Sequence, residues 1–286
     1  MVEDLPPMEY RFWGRTGLKV SVVALGSWLT YGGHVGDERA FEYIKAAYDE
    51  GINFFDTAEE YNGREAENLS NLVNNVGLLC KHIIEAMELS LKWLGLAHVD
   101  IIYAHRPDRQ TPMEEIVRGF NHLINTGKAF YWGTSEWSAS EITDAWRIAD
   151  KFGLIGPDVE KPQYNLLERQ RVEREYRRLY NTAHGLGLTV FLPLKMGILT
   201  GKYNDVAALP PDSRLGFAAT FGDKRWQHSF TIVAGLKPIA EELGCSLAQL
   251  ALAWVLKNPH VSSLIMGASQ PEQIYENVRS LDVVNG

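Results

Sequence analysis

Asp56 and Tyr61 stand close together in Phe54-Phe55-Asp56-Thr57-Ala58-Glu59-Glu60-Tyr61, and further on His105 opens the phrase His105-Arg106-Pro107-Asp108. A carboxylate, a phenol and an imidazole are groups that give and take protons. Each phrase follows an apolar run of the kind that makes a buried strand. In parallel α/β proteins the ends of such strands are where ligands gather. A phenol with a pKa of about 10 is a poor acid at neutral pH, and a neighbouring ammonium corrects this by stabilising the phenolate. An isolated Asp-x4-Tyr is more often a loop cap and a packed ring. Beside the His-Arg-Pro-Asp phrase, the catalytic reading is the better one.

The elements that must position these groups alternate along the whole chain. Tyr10 to Val20, with Gly14 and Gly17, reads as a hairpin. Strands follow at Val22–Gly26 and Ile52–Asp56, separated by a helix from Asp37 to about Glu50 with Phe41, Ile44, Ala47 and Tyr48 on one face. After Lys81 the pattern resumes with a helix to Leu94 and a strand Val99–Ala104, then a helix Met113–Asn125 and a strand Phe130–Gly133. A helix Ala139–Lys151, a strand Val159–Gln163, a helix Val172–His184 and a strand Leu188–Leu192 come next. Helices Ile232–Leu243 and Leu247–Lys257, a strand Ser262–Met266 and a helix Pro271–Leu281 complete the series. Strand-helix alternation predicts a parallel sheet with both faces covered, and no linker divides residues 1–286, which read as one domain.

A (β/α)8 TIM barrel spends about 30 residues on each unit, yet the interval 62–80 has only 19. Its one strand candidate, Val76–Cys80, has Gly77 inside it. Seven good strands and one poor one are expected, with open edges beside Ile52–Asp56 and Val99–Ala104.

Composition narrows the function. The formal charge of −8 removes the basic face that nucleic-acid binding needs. No apolar run reaches the ~20 residues of a membrane span, and the acidic, Pro-containing start is unlike a secretory signal. Two cysteines, Cys80 and Cys245, in no metal-type spacing point to a reduced, cytoplasmic protein. His82, His122 and His184 fall in helix patterns and read as structural.

Together the two phrases resemble the aldo-keto reductases, above all the branch near the potassium-channel beta subunits. The resemblance covers nearly the whole chain apart from the 62–80 interval and a compressed stretch near Leu215 to Trp226. It implies a (β/α)8 barrel with an N-terminal hairpin and a shortened second unit, using NADP(H) on a small carbonyl substrate. The family's Asp, Tyr and His correspond to Asp56, Tyr61 and His105, whereas its tetrad Lys has no counterpart in the short interval. Where the family has a nicotinamide-binding Gln on the sixth strand, this chain has Lys161. Lys161 could enter the pocket and replace the lost ammonium beside Asp56, or simply snorkel at a strand end.

The family's cofactor positions fall here on Ser27, Trp28, Ser135, Pro193, Leu194, Lys202, Arg214, Gly267, Ser269, Gln273, Glu276 and Asn277. Leu192 stands where the family has a Ser, which removes a hydroxyl near the diphosphate. Lys202 and Arg214 would favour the extra phosphate of NADP. Trp28, Tyr31, Trp137 and Phe191 could line an aromatic pocket. Three functions follow from the resemblance. The first is an NADP(H)-linked aldehyde or ketone reductase weakened by loss of the Lys. The second is a non-redox acid/base enzyme (dehydratase, isomerase or cyclase) on the same barrel. The third is a non-catalytic binding or regulatory subunit. An oligomer is compatible with each.

Overall fold

A computed structural model describes residues 5–28, 37–58, 76–203, 224–268 and 270–285; at residues 37–39, 224, 225 and 227 only the backbone is described. The expected hairpin is present: β1 (Tyr10–Phe12) pairs antiparallel with β2 (Lys19–Ser21). Trp13 at its turn is fully buried and meets Tyr131 and Tyr103 edge-on. The hairpin therefore plugs the N-terminal end of the sheet. Arg11 fastens it by donating to the carbonyl oxygens of Val261 and Leu256.

The main sheet holds seven strands among the described residues, all pairings parallel. These are β3 (Val23–Gly26), β4 (Phe55–Asp56), β5 (Val99–Ala104), β6 (Ala129–Ser135), β7 (Val159–Lys161), β8 (Gly187–Phe191) and β9 (Val261–Met266). Their order, β4-β3-β9-β8-β7-β6-β5, is that of a barrel wall interrupted between β4 and β5. The sheet curls as an aldo-keto-reductase-type α/β barrel does, and its two edges are the two expected from the short interval. Val76–Cys80 is no strand: bend and turn residues lead into α2 (Cys80–Leu94). Gly77 has φ +75, the left-handed region that glycine tolerates and a strand does not use.

The helices clad the outside: α1 (Asp37–Asp49), α2, α3 (Met113–Asn125), α4 (Ala139–Phe152), α5 (Lys224–Glu242), α6 (Leu247–Leu256), α7 (Pro271–Val278) and α8 (Ser280–Asn285). The helix expected over Val172–His184 is instead a π turn, Arg171–Glu175, and a 3-10 turn, Tyr176–Arg178. Their side chains still pack inward, with Val172 and Tyr176 buried. The expected face of α1 is also wrong. Ala47 is buried with Tyr43 and Ala46, whereas Phe41 and Tyr48 are 69% and 72% exposed and Ile44 is partly so. A barrel helix normally meets neighbours on both flanks; α1 packs on α7, and its other flank borders the interrupted wall.

Strand alternation sorts side chains into two sets. Outward residues such as Val23, Leu25, Trp132, Leu188 and Val190 join the core under the helices, where Trp132 stacks on Phe120 at 4.7 Å. Inward residues such as Ala24, Phe54, Ile101, Tyr103, Tyr131 and Val159 fill the bore above Trp13.

Candidate functional site

The inward set places the chemistry. Phe54 and Asp56 share a face on β4, as do Val159 and Lys161 on β7, so both charged side chains enter the top of the bore from opposite walls. The Lys161 Nζ lies 2.8 Å from Oδ1 of Asp56, and both residues are buried, at 4% and 7% exposure. Either charge alone would be costly there; each offsets the burial of the other, and removing one strands its partner. The same ammonium sits 4.5 Å above the Tyr103 ring, a cation–π contact in a desolvated setting. The Tyr103 hydroxyl lies 2.7 Å from the Thr189 hydroxyl, and burial pushes its pKa well up, so it stays a protonated phenol. Lys161 is therefore paired inside the bore, not snorkelling at its rim.

Ser135 and Arg106 adjoin this pair. In the register β6 sets Ser135 opposite Lys161. The Ser135 hydroxyl donates to the Lys161 carbonyl at 2.9 Å and accepts from Arg106 at 3.1 Å. Arg106 also donates to the His105 carbonyl and lies 5.9 Å from the Phe191 ring centre, so it spans the mouth of the bore. His105 follows Tyr103 on the same strand face and lines the cavity that reaches Asp56 and Lys161. Tyr61 and Tyr31 lie outside the described residues.

Glu160, between the two charged neighbours in sequence, points to the other face. It is fully buried and accepts from the Thr134 hydroxyl and the Trp137 backbone N–H. Burial pushes its pKa up to about 8 against the pull of those bonds. It thus braces the turn after β6, where Glu136 is held at φ +60. Asp108, the last residue of the second phrase, has an anchoring place. Burial would raise its pKa, but bonds from Leu78 N–H, the Thr111 hydroxyl and nearby backbone N–H groups prevail and hold it below the usual range. It ties the approach of α2 to the end of β5. Trp137, expected in the pocket, is fully buried in the outer core.

Alternation along β5 could have revealed Tyr103, since it shares a face with His105. Two adjacent charges in the buried Val159–Lys161 run signalled Glu160 as well as Lys161. Nothing in spacing alone signalled the Arg106–Ser135 contact.

The residues carried over to the cofactor separate into two groups. Near the bore, the buried Ser27 hydroxyl has no hydrogen-bond partner among the described residues, while its N–H donates to the Asp56 carbonyl. Trp28 beside it is partly exposed. Pro193 and Leu194 follow β8 after Leu192, whose φ is +52; Lys195 and Met196 are also left-handed, a strained run typical of ligand-binding turns. At the other end, α7 starts with Pro271, its N-cap Gln270 makes no side-chain cap, and the Gln273 N–H donates to the Gln270 carbonyl. Gln273 is on its first turn, and Gly267 lies just before it. Glu276 accepts from Ser246 at the N-cap of α6, and a Cβ on Gly201, next to the exposed Lys202, would strike Leu247 of the same helix. Asn277 is turned inward onto the Met266 sulfur. Arg214 and Ser269 lie outside the described residues. The buried Ser27 hydroxyl, unpartnered among the described residues, is the observation there that fits a polar ligand such as a dinucleotide.

A family model described as "Aldo/keto reductase family" matches residues 22–77 and 71–285, two stretches that overlap at 71–77, ahead of α2. The chain is 44% identical over 304 aligned positions to a protein of Arabidopsis thaliana named probable voltage-gated potassium channel subunit beta, covering 97% of this chain and 92% of that one. A protein of Oryza sativa subsp. japonica with the same name is 45% identical, with the same coverage. One from Schizosaccharomyces pombe, named putative voltage-gated potassium channel subunit beta, is 47% identical over 308 positions, covering 96% and 89%. These aligned lengths exceed the 286 residues of the whole chain, so the relatives carry residues that it lacks.

Proposed function

The chain belongs to the aldo/keto reductase family, and we propose that it is a cytoplasmic NADP(H)-linked reductase of aldehydes or ketones. In this reading Lys161 does the work of the absent tetrad lysine from a different strand. The observation that carries it is the 2.8 Å contact between Lys161 and Asp56 in the bore. A lost cation restored from another direction is what retained carbonyl chemistry requires.

A cofactor, when bound, would supply the hydride, and the chain's own groups manage the carbonyl oxygen. Asp56 holds the ammonium of Lys161 in place. That charge lies where it stabilises negative charge developing on an oxygen at the top of the bore. His105 orients the carbonyl, and Tyr61 donates the proton, the ammonium favouring its phenolate form. Arg106 keeps Ser135 and the bore mouth in register. Ser27, Ser135, the Pro193–Leu194 turn and the start of α7 would hold the cofactor along its length, with Lys202 and Arg214 at the adenosine phosphate.

NADPH titrated into the protein by fluorescence tests the first step, and micromolar binding is expected. Lys161→Met should then lower carbonyl reduction about 100-fold and alter its pH profile. Unchanged turnover with an unchanged profile would remove Lys161 from the chemistry. A second reading follows from the names of the relatives: a regulatory subunit that binds cofactor without turnover. NADPH binding with no reduction across a panel of aldehydes and ketones would favour it.

A further inference from the structure

The interrupted wall creates space as well as edges. Between β4 and β5 the described residues border a cavity of about 1320 Å³, larger than the ~300–1,000 Å³ of ordinary small-ligand sites. One end is polar: Asp56, Lys161 and His105 reach it from the bore. Its middle is apolar, with Phe54 and Ile101 on the sheet and Ile83, Met87 and Phe120 on α2 and α3. The far end meets Lys19 and Asp100 beside the hairpin. β5 runs along one wall for six residues, or about 20 Å.

We propose that this lateral slot receives the unbranched aliphatic tail of a long-chain carbonyl compound whose oxygen-bearing head lies at Lys161, Asp56 and His105. A polar cluster at the head end, followed by an apolar stretch beside β5, matches an extended amphiphile better than a compact aromatic one. The ammonium suits an oxygen head, and the tail enters through the side of the wall, not over the loops at the mouth. The fate of the head rests on the reductase reading; the tail site does not.

Calorimetry with butanol, hexanol, octanol and decanol, which cannot be reduced, tests the slot directly. Affinity should rise about 3- to 4-fold per added methylene. Ala86→Trp or Ser90→Trp, two small residues of α2 on the slot wall one turn apart, should erase that dependence. Affinity independent of chain length, or no binding because the slot is filled by the protein's own chain or a second copy, overturns the proposal. So does a slope unchanged in both well-folded variants. Parallel reduction of propanal and decanal separates the two readings. Equal kcat/KM with flat alcohol binding leaves the reductase standing and removes the slot. Steep alcohol binding without any aldehyde turnover leaves the slot standing and removes the reductase.

Discussion

The two sides of this sheet obey different rules. From β6 round to β9 every strand has a neighbour on each edge, the outward side chains other than Phe130 are covered, and charges that point outward are buried and bonded, as Glu160 is. At β4 and β5 each strand has one neighbour among the described residues, and α1 shows Phe41 and Tyr48 to solvent. The same fold thus contains a complete wall and an incomplete one. The functional pair spans them, with Lys161 rooted in the complete side and Asp56 in the incomplete side. In the proposed reductase reading a residue on the well-supported wall takes the place of a group lost from the other, the bore being narrow enough for Lys161 to reach Asp56.

That contrast can be broken experimentally. Lys161→Met strands the Asp56 carboxylate, so beyond its effect on rate it should cost about 3–5 kcal/mol of stability, read from urea midpoints. Asp56→Asn in the same chain should return most of that stability and none of the activity. Trp132→Ala on the complete wall empties the stack on Phe120 and should cost about 3–5 kcal/mol in the same assay.

Glu160 gives a smaller, pH-dependent effect. Its folded pKa of about 8 lies above the ordinary carboxylate value, so the folded state holds the proton more tightly than the unfolded one. Its contribution is present in full at acid pH, below the unfolded pKa, and is lost as pH rises towards about 8. Across that window stability should fall by up to about 1.4 kcal/mol per pH unit. Glu160→Gln should flatten urea midpoints measured between pH 5 and pH 8. On the incomplete wall, Phe55→Ser should change stability by no more than about 0.5 kcal/mol. A loss like that of Trp132→Ala would mean that Phe55 is covered in solution.

Much of the fold was legible because strand periodicity and the helix stripes repeat in an unbroken order, and the one break in that order, at 62–80, was visible as missing length. The face of α1 was misread for the same reason. Its apolar Phe41 and Tyr48 fit a barrel helix flanked on both sides, and the pattern carries no sign that one flank lacks a neighbour. The Val172–His184 helix was misread because inward-facing spacing is satisfied equally by short π and 3-10 turns. The Lys161–Asp56 pair was one of two readings that the sequence left open, since a buried carboxylate needs a cation but a lysine at a strand end can equally snorkel. The Arg106–Ser135 contact depends on how neighbouring strand ends converge, which no local pattern encodes.

The strand order also sets a timetable. Among the described residues β4 touches only β3, and the other neighbour of β3 is β9, near the end of the chain. In a closed barrel the N-terminal strands would be recruited by the next strand as soon as it was made. Here they must wait until the chain is almost complete, which at about 5–20 residues per second is roughly tens of seconds. For that time two apolar strands have no sheet to join, so biosynthesis of this protein is the stage at which chaperone supply should limit its yield.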